Sequence, residues 1–215
     1  MLIASDLNGT LTTGSPILAV ARWVKRNQPE SYPPGFALSL FASYIQVKLG
    51  LKKIDTWGDV NMRRVLTLIS KPNQEILDLV MDSVVDDELW LKKRDKVVEL
   101  LQNYHQNGAE IIIISAAYEP AVQKFATKIG SENTHGIGTP VALTGSGLVL
   151  AKTLTSREVK LERLRALIGD KQIDVGLGDT FADIPLLEEA KKAIAVFPDK
   201  TLRQTAINRD WAIIE

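Results

Sequence analysis

Four consecutive isoleucines at positions 111–114 constrain the fold of this chain more than any other feature. A continuous β-branched run of this kind is typical of a strand in a parallel sheet that helices cover on both faces. Shorter apolar runs at 2–5, 174–177, 193–196 and 211–214 predict further strands. Helical patterns separate most of these runs, so we expect an α/β fold with a Rossmann-like, three-layer parallel sheet at its core.

The stretch between the first predicted strand and residue 86 contains helical patterns and no convincing strand. Pro16 suits the first turn of a helix, and apolar residues follow at helical spacing. Further helices are predicted at 36–49, 54–69 and 73–84, and a charged helix is predicted from Asp86 to Tyr104. We therefore divide the chain into a core of residues 1–14 and 86–215 and an all-helical cap subdomain of residues 15–85.

The predicted helix at 36–49 is the most apolar part of this cap. It is shorter than the roughly 20 apolar residues that a bilayer-spanning helix needs, so we expect no membrane span. We interpret it as a buried helix, and the alternative is the wall of a pocket for an apolar or lipid-like substrate. Arg63, in the next predicted helix, is a candidate substrate contact, with a solvated helix face as the alternative.

The charged residues are balanced, with 26 Lys and Arg against 26 Asp and Glu. This balance gives no electrostatic argument for binding nucleic acid or an anionic membrane. The chain has no cysteine, which excludes a disulfide framework and a cysteine metal site. No basic and apolar leader precedes the first strand, so we expect a cytoplasmic protein whose partner is a small molecule.

Polar groups follow three of the predicted strands, where the ligands of open α/β sheets bind. These groups are Asp6, Ser115 and Asp179, with Asp183 four residues beyond Asp179 and Lys160 near the start of a helix. Clustered carboxylates can hold Mg²⁺, which prefers oxygen ligands and is often shared with substrate phosphates. A hydroxyl and an ammonium group can hold the remaining phosphoryl oxygens, and a carboxylate can act as the nucleophile in phosphoryl transfer.

Four motifs in this order resemble those of the haloacid dehalogenase superfamily. The first, D-x-D-G-T in the family, reads Asp6-Leu7-Asn8-Gly9-Thr10 here. The second is the hydroxyl of Ser115, the third is a lysine, and the fourth is Gly178-Asp179-Thr180-Phe181-Ala182-Asp183. The tail of the chain and the helical insert after the first motif resemble the phosphoserine-phosphatase-like branch, which carries a helical cap. The resemblance covers nearly the whole chain.

The resemblance implies a Mg²⁺-dependent hydrolase in which Asp6 forms an aspartyl phosphate. The implied catalytic residues are Asp6, Asn8, Ser115 and Lys160. The implied substrate contacts are Gly9, Ser115, Ala116 and Lys160, to which we add Arg63 of the cap. The implied Mg²⁺ ligands are Asp6, the backbone oxygen of Asn8, Asp179 and Asp183.

Two lysines compete for the third motif. Lys160 begins a K-x-x-x-L pattern at the start of a predicted helix, which Thr155 and Glu158 open with the spacing of a capping box. Lys152 follows a predicted hairpin around 145–147, where a solvated surface residue is expected. We therefore assign the third motif to Lys160.

Asn8 is the one departure from the family pattern, which has an acid at this position. In the family that acid protonates the leaving oxygen and then activates the water that cleaves the aspartyl phosphate. An amide cannot transfer a proton in this way, and losing general acid–base catalysis costs roughly 10² to 10⁴ in rate. Three explanations stay open: an engineered variant, a naturally slow or silenced homologue, or a chemistry that needs no acid.

The sequence therefore predicts a Mg²⁺-dependent phosphatase that hydrolyses a small phosphate monoester and is impaired by Asn8. The alternative is a catalytically silenced phosphate-binding or regulatory protein, which only Asn8 supports. A third reading is an aspartate-nucleophile dehalogenase or phosphonate hydrolase. Phosphoserine itself is disfavoured, because the branch's phosphoserine enzymes carry a carboxylate early in the cap and residues 13–17 contain no acid.

Overall fold

The computed structural model describes residues 1–215 and contains one six-stranded, fully parallel sheet in the order β3-β2-β1-β6-β7-β8. The strands of this sheet are β1 (Leu2–Ser5), β2 (Glu110–Tyr118), β3 (Thr134–Thr139), β6 (Ile173–Gly178), β7 (Ala190–Val196) and β8 (Ala212–Ile214). A separate antiparallel hairpin consists of β4 (Val141–Thr144) and β5 (Gly147–Leu150). The predicted α/β fold with a Rossmann-like parallel sheet is confirmed.

Nine α-helices accompany the strands. They are α1 (Pro16–Asn27), α2 (Phe36–Lys48), α3 (Ile54–Leu66), α4 (Gln74–Val84), α5 (Asp95–Gln106), α6 (Glu119–Ile129), α7 (Arg157–Ile168), α8 (Ile184–Glu188) and α9 (Lys200–Asn208). Helices α1 to α4 form the insert after β1, and none of the nine combines the length and apolar character needed to cross a membrane.

The four isoleucines of β2 alternate between the two faces of the sheet, as the pleat of a strand requires. Ile111 and Ile113 belong to an apolar cluster of 40 buried residues that the inserted helices share with one face of the sheet. Ile112 and Ile114 belong to a second cluster on the other face, which α7 and α8 cover. All four side chains are buried, which explains why the run is continuous rather than alternating with polar residues.

Strand β1 lies in the centre of the sheet and brings the first motif to its carboxyl edge. Ala4 is opposite Ile112 of β2 and Gly176 of β6. The backbone N–H of Asp6 continues the pairing with β6 by donating to the Leu177 carbonyl at 3.0 Å. The first and fourth motifs therefore follow neighbouring strands.

The two chain segments that connect the insert to the core run side by side. The N–H of Thr13 donates to the Lys92 carbonyl at 3.0 Å, and the N–H of Arg94 donates to the Leu11 carbonyl at 2.8 Å. Next to them, buried Glu88 accepts from the backbone N–H of Ser15 at 2.9 Å. The junction is thus a bonded pair of segments rather than two independent linkers.

Three local predictions are wrong. Helix α2 is not buried: only Phe36 and Leu40 are, because the helix packs on α3 along one side. The charged helix does not run through 86–104, since α4 continues as a π-helical turn (Val85–Leu89) and α5 starts after the bonded segment at 92–94. Thr155 caps no helix; its hydroxyl donates to the Gly138 carbonyl at 2.8 Å, and Ser156 precedes α7.

Candidate active site

The fold brings Asp6 and Lys160 together over 154 residues of sequence. The Lys160 ammonium group donates to Asp6 Oδ1 at 2.8 Å and to Asp183 Oδ1 at 2.6 Å. All three side chains are buried, with Lys160 only 4% exposed. Helix α7 supplies this lysine from its first turn, as the K-x-x-x-L pattern predicted, and Leu164 of the same pattern packs in the second apolar cluster.

Three carboxylates converge beside this ammonium group. One ligand oxygen from each of Asp6, Asp179 and Asp183 lies within 4.8 Å of the other two. The hydroxyl of Thr10 lies 3.1 Å from Asp6 Oδ2 and 3.2 Å from Asp179 Oδ1, so it bridges the first and fourth motifs. Three carboxylates with one ammonium leave the cluster short of positive charge.

The pKa values of the clustered groups reflect this shortage of positive charge. Burial raises the pKa of Asp6 to about 6, although Lys160 opposes the shift. Burial and the carboxylates of Asp6 and Asp183 raise the pKa of Asp179 to about 8. Burial alone would lower the pKa of Lys160, but Asp183 and Asp6 outweigh it and hold that pKa above its usual value. A cation between the carboxylates would relieve this repulsion.

The donor set fits Mg²⁺, which takes hard oxygen ligands. Asp6 and Asp179 each direct carboxylate oxygens into the cluster. Asp183 is already engaged: Oδ2 accepts from the backbone N–H groups of Asp179 and Thr180, both at 3.1 Å, and Oδ1 accepts from Lys160. Asp183 therefore holds the loop that presents Asp179, in addition to adding charge near the metal position.

Gly9 is required by the close approach of the two motif loops. Its φ angle is +98°, and a Cβ atom at this position would lie 1.9 Å from Asp179 Oδ2. The Gly9 carbonyl accepts from Arg94 Nε at 2.8 Å, and the guanidinium of Arg94 lies over the ring of Phe197 at 3.8 Å from its centroid. Sequence reasoning did not find Arg94, because no motif includes it and only the paired junction brings it near the turn.

Asn8 connects the second motif to the junction with the insert. Its amide Nδ2 donates to the Gly14 carbonyl at 3.0 Å, and its Oδ1 accepts from the Ser115 hydroxyl at 3.2 Å. Ser115 is 1% exposed, and its oxygen also accepts from the N–H of Ala117 at 3.3 Å. The neighbouring Ala116 is half-buried, and its carbonyl accepts from Thr139.

Arg63 forms no hydrogen bond or ion pair with this cluster, and its role as a substrate contact stays a prediction. Its guanidinium pairs with Asp59 one turn earlier in α3, at 3.0 Å, and reaches the Leu150 carbonyl of the hairpin. Lys152 is exposed and lies outside the cluster. A second arginine, Arg157 of α7, also links the insert to the core by pairing with Asp55 of α3 at 2.7 Å, and its partner Asp55 gave no sequence signal.

Comparison with known proteins agrees with this geometry. The model of the family described as haloacid dehalogenase-like hydrolase matches residues 3–188. The phosphoserine phosphatase SerB1 of Mycobacterium tuberculosis is 25% identical over 224 residues, covering 97% of this chain and 68% of that protein. An inhibition of morphological differentiation protein from Streptomyces azureus is 23% identical over 66% of this chain, and the match spans about half (51%) of that protein.

Solved structures show the same fold. A protein of unknown function from Bordetella pertussis Tohama I superimposes with a TM-score of 0.80 at 18% identity, covering 100% of this chain and 97% of the other. A substrate-bound phosphoserine phosphatase superimposes with a TM-score of 0.61 at 16% identity, covering 100% and 92%. With the family model matching most of its length and the four motifs meeting at one sheet edge, this chain belongs to the haloacid dehalogenase-like hydrolases.

Proposed function

We propose that this protein is a Mg²⁺-dependent phosphatase that acts on a small phosphate monoester through an aspartyl phosphate on Asp6. The observation that carries the proposal is the Asp6 carboxylate, held at 2.8 Å by the buried ammonium of Lys160 and flanked by Asp179. A nucleophilic carboxylate beside a fixed cation and an acidic metal position is what phosphoryl transfer needs.

In the proposed reaction an Asp6 oxygen attacks phosphorus while the ester P–O bond breaks, and the leaving oxygen takes up a proton from water. Lys160 and the Ser115 hydroxyl donate hydrogen bonds to the phosphoryl oxygens. Mg²⁺, held by Asp6, Asp179 and the Asn8 backbone oxygen, would neutralise charge on the phosphoryl group. Water then cleaves the aspartyl phosphate, which releases phosphate and restores the carboxylate.

Asn8 makes this cycle slow because its amide cannot transfer a proton to the leaving oxygen or accept one from water. Its position nevertheless suits an acid: a protonated carboxyl group could donate to the Gly14 carbonyl as the amide does now. An ionised carboxylate would instead face that carbonyl oxygen, so the environment favours the protonated form that a general acid requires. We therefore expect the site to accept aspartate at position 8.

The test is a pair of measurements on Asn8. We expect Asn8→Asp to raise the turnover of an aryl phosphate by roughly 10² or more, because proton transfer is restored. The present protein, given an activated phosphate donor and Mg²⁺, should gain the mass of one phosphoryl group, and Asp6→Asn should abolish the gain. Activated esters should suffer least from Asn8, since their leaving groups need little protonation.

A silenced phosphate-binding or regulatory protein is the second candidate, and Asn8 is the observation in its favour. A correctly folded Asn8→Asp protein that turns over no phosphate ester in a broad panel would favour it. The buried cluster of Asp6, Lys160, Asp179 and Asp183 argues against it, because such a cluster is costly to keep without a use. A dehalogenase or phosphonate hydrolase ranks third.

Within the phosphatases, phosphoserine is a poor candidate for the substrate. No acid lies at 13–17, and the acid that packs against this stretch, Glu88, already pairs with Arg22 and Lys92. It has no free oxygen to hold a substrate amine. We therefore propose a phosphate monoester without an α-amino group as the substrate class.

A further inference from the structure

Helix α2 and the turn after it expose an unusual concentration of apolar surface. Six of the sixteen large exposed apolar side chains of the molecule lie between residues 38 and 54. Phe41 is 62% exposed and Leu51 is 73% exposed. We call this surface the α2 face, and it consists of Leu38, Phe41, Ile45, Leu49, Leu51 and Ile54. Contiguous apolar surface on a folded protein marks an interaction site, whereas single exposed residues do not.

The α2 face is the side of the helix that no other element covers. Leu38, Phe41, Ile45 and Leu49 recur at helical spacing, while Phe36 and Leu40 point the other way and are buried. That buried side packs on α3, where Trp57 Nε1 donates to the Ser43 hydroxyl at 2.9 Å. The buried side thus fixes α2 to α3, and the exposed side is accessible to a binding partner.

Positive charge accompanies this apolar surface. Residues 31–54 contain Lys48, Lys52 and Lys53 and no acid, although the whole chain is electrically balanced. All three lysines are exposed, and none forms an ion pair with a carboxylate of the chain. Lys48 is the last residue of α2, and Lys52 and Lys53 lie in the segment between α2 and α3. The net charge of the whole chain therefore gives no indication that the segment at the C-terminal end of α2 is locally basic.

We propose that the α2 face binds the surface of an anionic lipid bilayer. The apolar side chains would enter the boundary between headgroups and acyl chains, and the three lysines would pair with lipid phosphates and carboxylates. The helix would lie along the surface, since it is too short to cross the membrane. A second copy of the chain is a poorer occupant, because pairing two α2 faces provides no acid for the lysines.

The experiment measures co-sedimentation of the full-length protein with vesicles. One set contains equal parts of phosphatidylserine and phosphatidylcholine, and the other contains phosphatidylcholine alone. We expect binding to the anionic vesicles, much weaker binding to the neutral ones, and loss of binding as salt concentration rises. Free phosphoserine at high concentration should not displace the protein, because a bilayer rather than a headgroup is the ligand.

Two variants address the two halves of the surface. Replacing Lys48, Lys52 and Lys53 with glutamine should weaken binding on the order of 100-fold, because each lysine near an anionic surface contributes about five-fold. The matched control replaces three exposed lysines of the core, Lys96, Lys192 and Lys200, and should bind as the parent protein does.

Phe41→Ser combined with Leu49→Ser should weaken binding roughly ten-fold or more, because the apolar contact is lost. Leu167→Ser combined with Ile207→Ser removes exposed apolar side chains from the core and serves as its control. Thermal unfolding of each variant should match the parent, since all these side chains are exposed.

Three results would overturn the proposal. The first is absence of binding to the anionic vesicles. The second is binding that the core variants reduce as much as the α2-face variants do. The third is self-association in analytical ultracentrifugation that Phe41→Ser combined with Leu49→Ser abolishes, which would assign the α2 face to a second copy. None of these outcomes depends on turnover of a phosphate ester. They therefore test binding by the α2 face independently of the proposed phosphatase activity.

Discussion

Lys160 is the residue whose positive charge reduces the repulsion among the buried carboxylates. It donates to both Asp6 and Asp183 and is the only ammonium group among them. Removing one member of a buried charge group leaves the others unpaired, which is more costly than loss of an exposed ion pair. The same residue is positioned to hold a phosphoryl group.

We predict that Lys160→Ala weakens binding of a phosphate analogue by ten-fold or more, or about 1.4 kcal/mol, because a charge-assisted contact is lost. Lys152→Ala, the matched control, should change binding little, since Lys152 is exposed. Calorimetric titration with vanadate in the presence of Mg²⁺ measures both, and circular dichroism checks the fold. The opposite ranking would place the third motif on Lys152.

We predict that phosphate analogues bind with Mg²⁺ and much more weakly in the presence of a chelator. Without the metal, a phosphate meets the bare charge of Asp6 and Asp179. Asp179→Asn should reduce this Mg²⁺ dependence. Above pH 8, where Asp179 of the metal-free parent is ionised, it should also raise the unfolding temperature, because one repelling charge is removed. Equal affinities with and without Mg²⁺ in calorimetry would contradict the metal assignment.

The sequence led to most of the clustered residues because each follows a predicted strand or opens a helix. Parallel strands place such positions at one sheet edge, so Asp6, Ser115 and Asp179 could be grouped without coordinates. Arg94 and Arg63 show the limit of this reasoning. Their positions depend on which segments pack together across the junction and the hairpin, and no local pattern records that packing.

At the scale of elements, the insert is tied to the core through an ion pair beside the fourth motif. Arg157, at the start of α7, donates to Asp55 of α3 at 2.7 Å. Its guanidinium also lies over the ring of Phe181, 4.5 Å from the centroid, and its φ angle is +52°. A non-glycine residue in this region is uncommon and is kept only where surrounding contacts hold it. The contact therefore couples α3 to the loop that carries Asp179.

We predict that Asp55→Asn loosens α3 from the core and accelerates its amide hydrogen exchange two- to five-fold. An exposed pair of this kind contributes about 0.2 to 1 kcal/mol, which sets the size of the effect. Asp59→Asn breaks the Arg63 pair inside the same helix and should leave α3 docked. Exchange that rises equally in both variants would show that the Arg157 pair does not hold the insert.

Element boundaries were predictable where a local signal existed and unpredictable where packing decided. Asp199 caps α9, with Oδ1 accepting from the N–H of Leu202 at 2.8 Å, and aspartate is a typical residue at the start of a helix. The composition of α2 indicated burial, but an apolar helix cannot be buried where only one neighbour covers it. The break before α5 was missed because residues 92–94 have ordinary helical composition and leave the helix only to pair with 11–13.

At the scale of the whole molecule, Glu88 secures the junction between the insert and the core. Burial alone would raise its pKa, but hydrogen bonds from Lys92 and the Ser15 N–H, together with the charge of Arg22, lower the pKa below its usual value. A carboxyl whose pKa is lowered on folding stabilises the protein above its ordinary pKa of 4.5. That stabilisation is lost as the pH falls through the lower, folded-state value.

We predict that Glu88→Gln lowers the free energy of unfolding by about 1 to 2 kcal/mol at neutral pH, since charged hydrogen bonds become neutral ones. The difference from the parent should shrink below pH 4.5, where the parent also loses the charge. Urea unfolding at a series of pH values measures this. The exposed Glu99→Gln should show no such pH-dependent difference. An equal decrease in the free energy of unfolding at every pH would mean that the substitution disturbs packing rather than removing a stabilising charge.

The central position of β1 has a consequence for how the protein is made. This strand is synthesised well before its two neighbours in the sheet, which begin at residues 110 and 173. The backbone N–H and C=O groups along both of its edges therefore lack partners until those neighbours are made, and pairings of such long range form slowly. Unpaired strands with apolar side chains are prone to aggregate, so β1 is most exposed to aggregation at this stage. Because the proposed nucleophile follows β1 directly, the carboxylate cluster can form only after Asp179 and Asp183 have been synthesised.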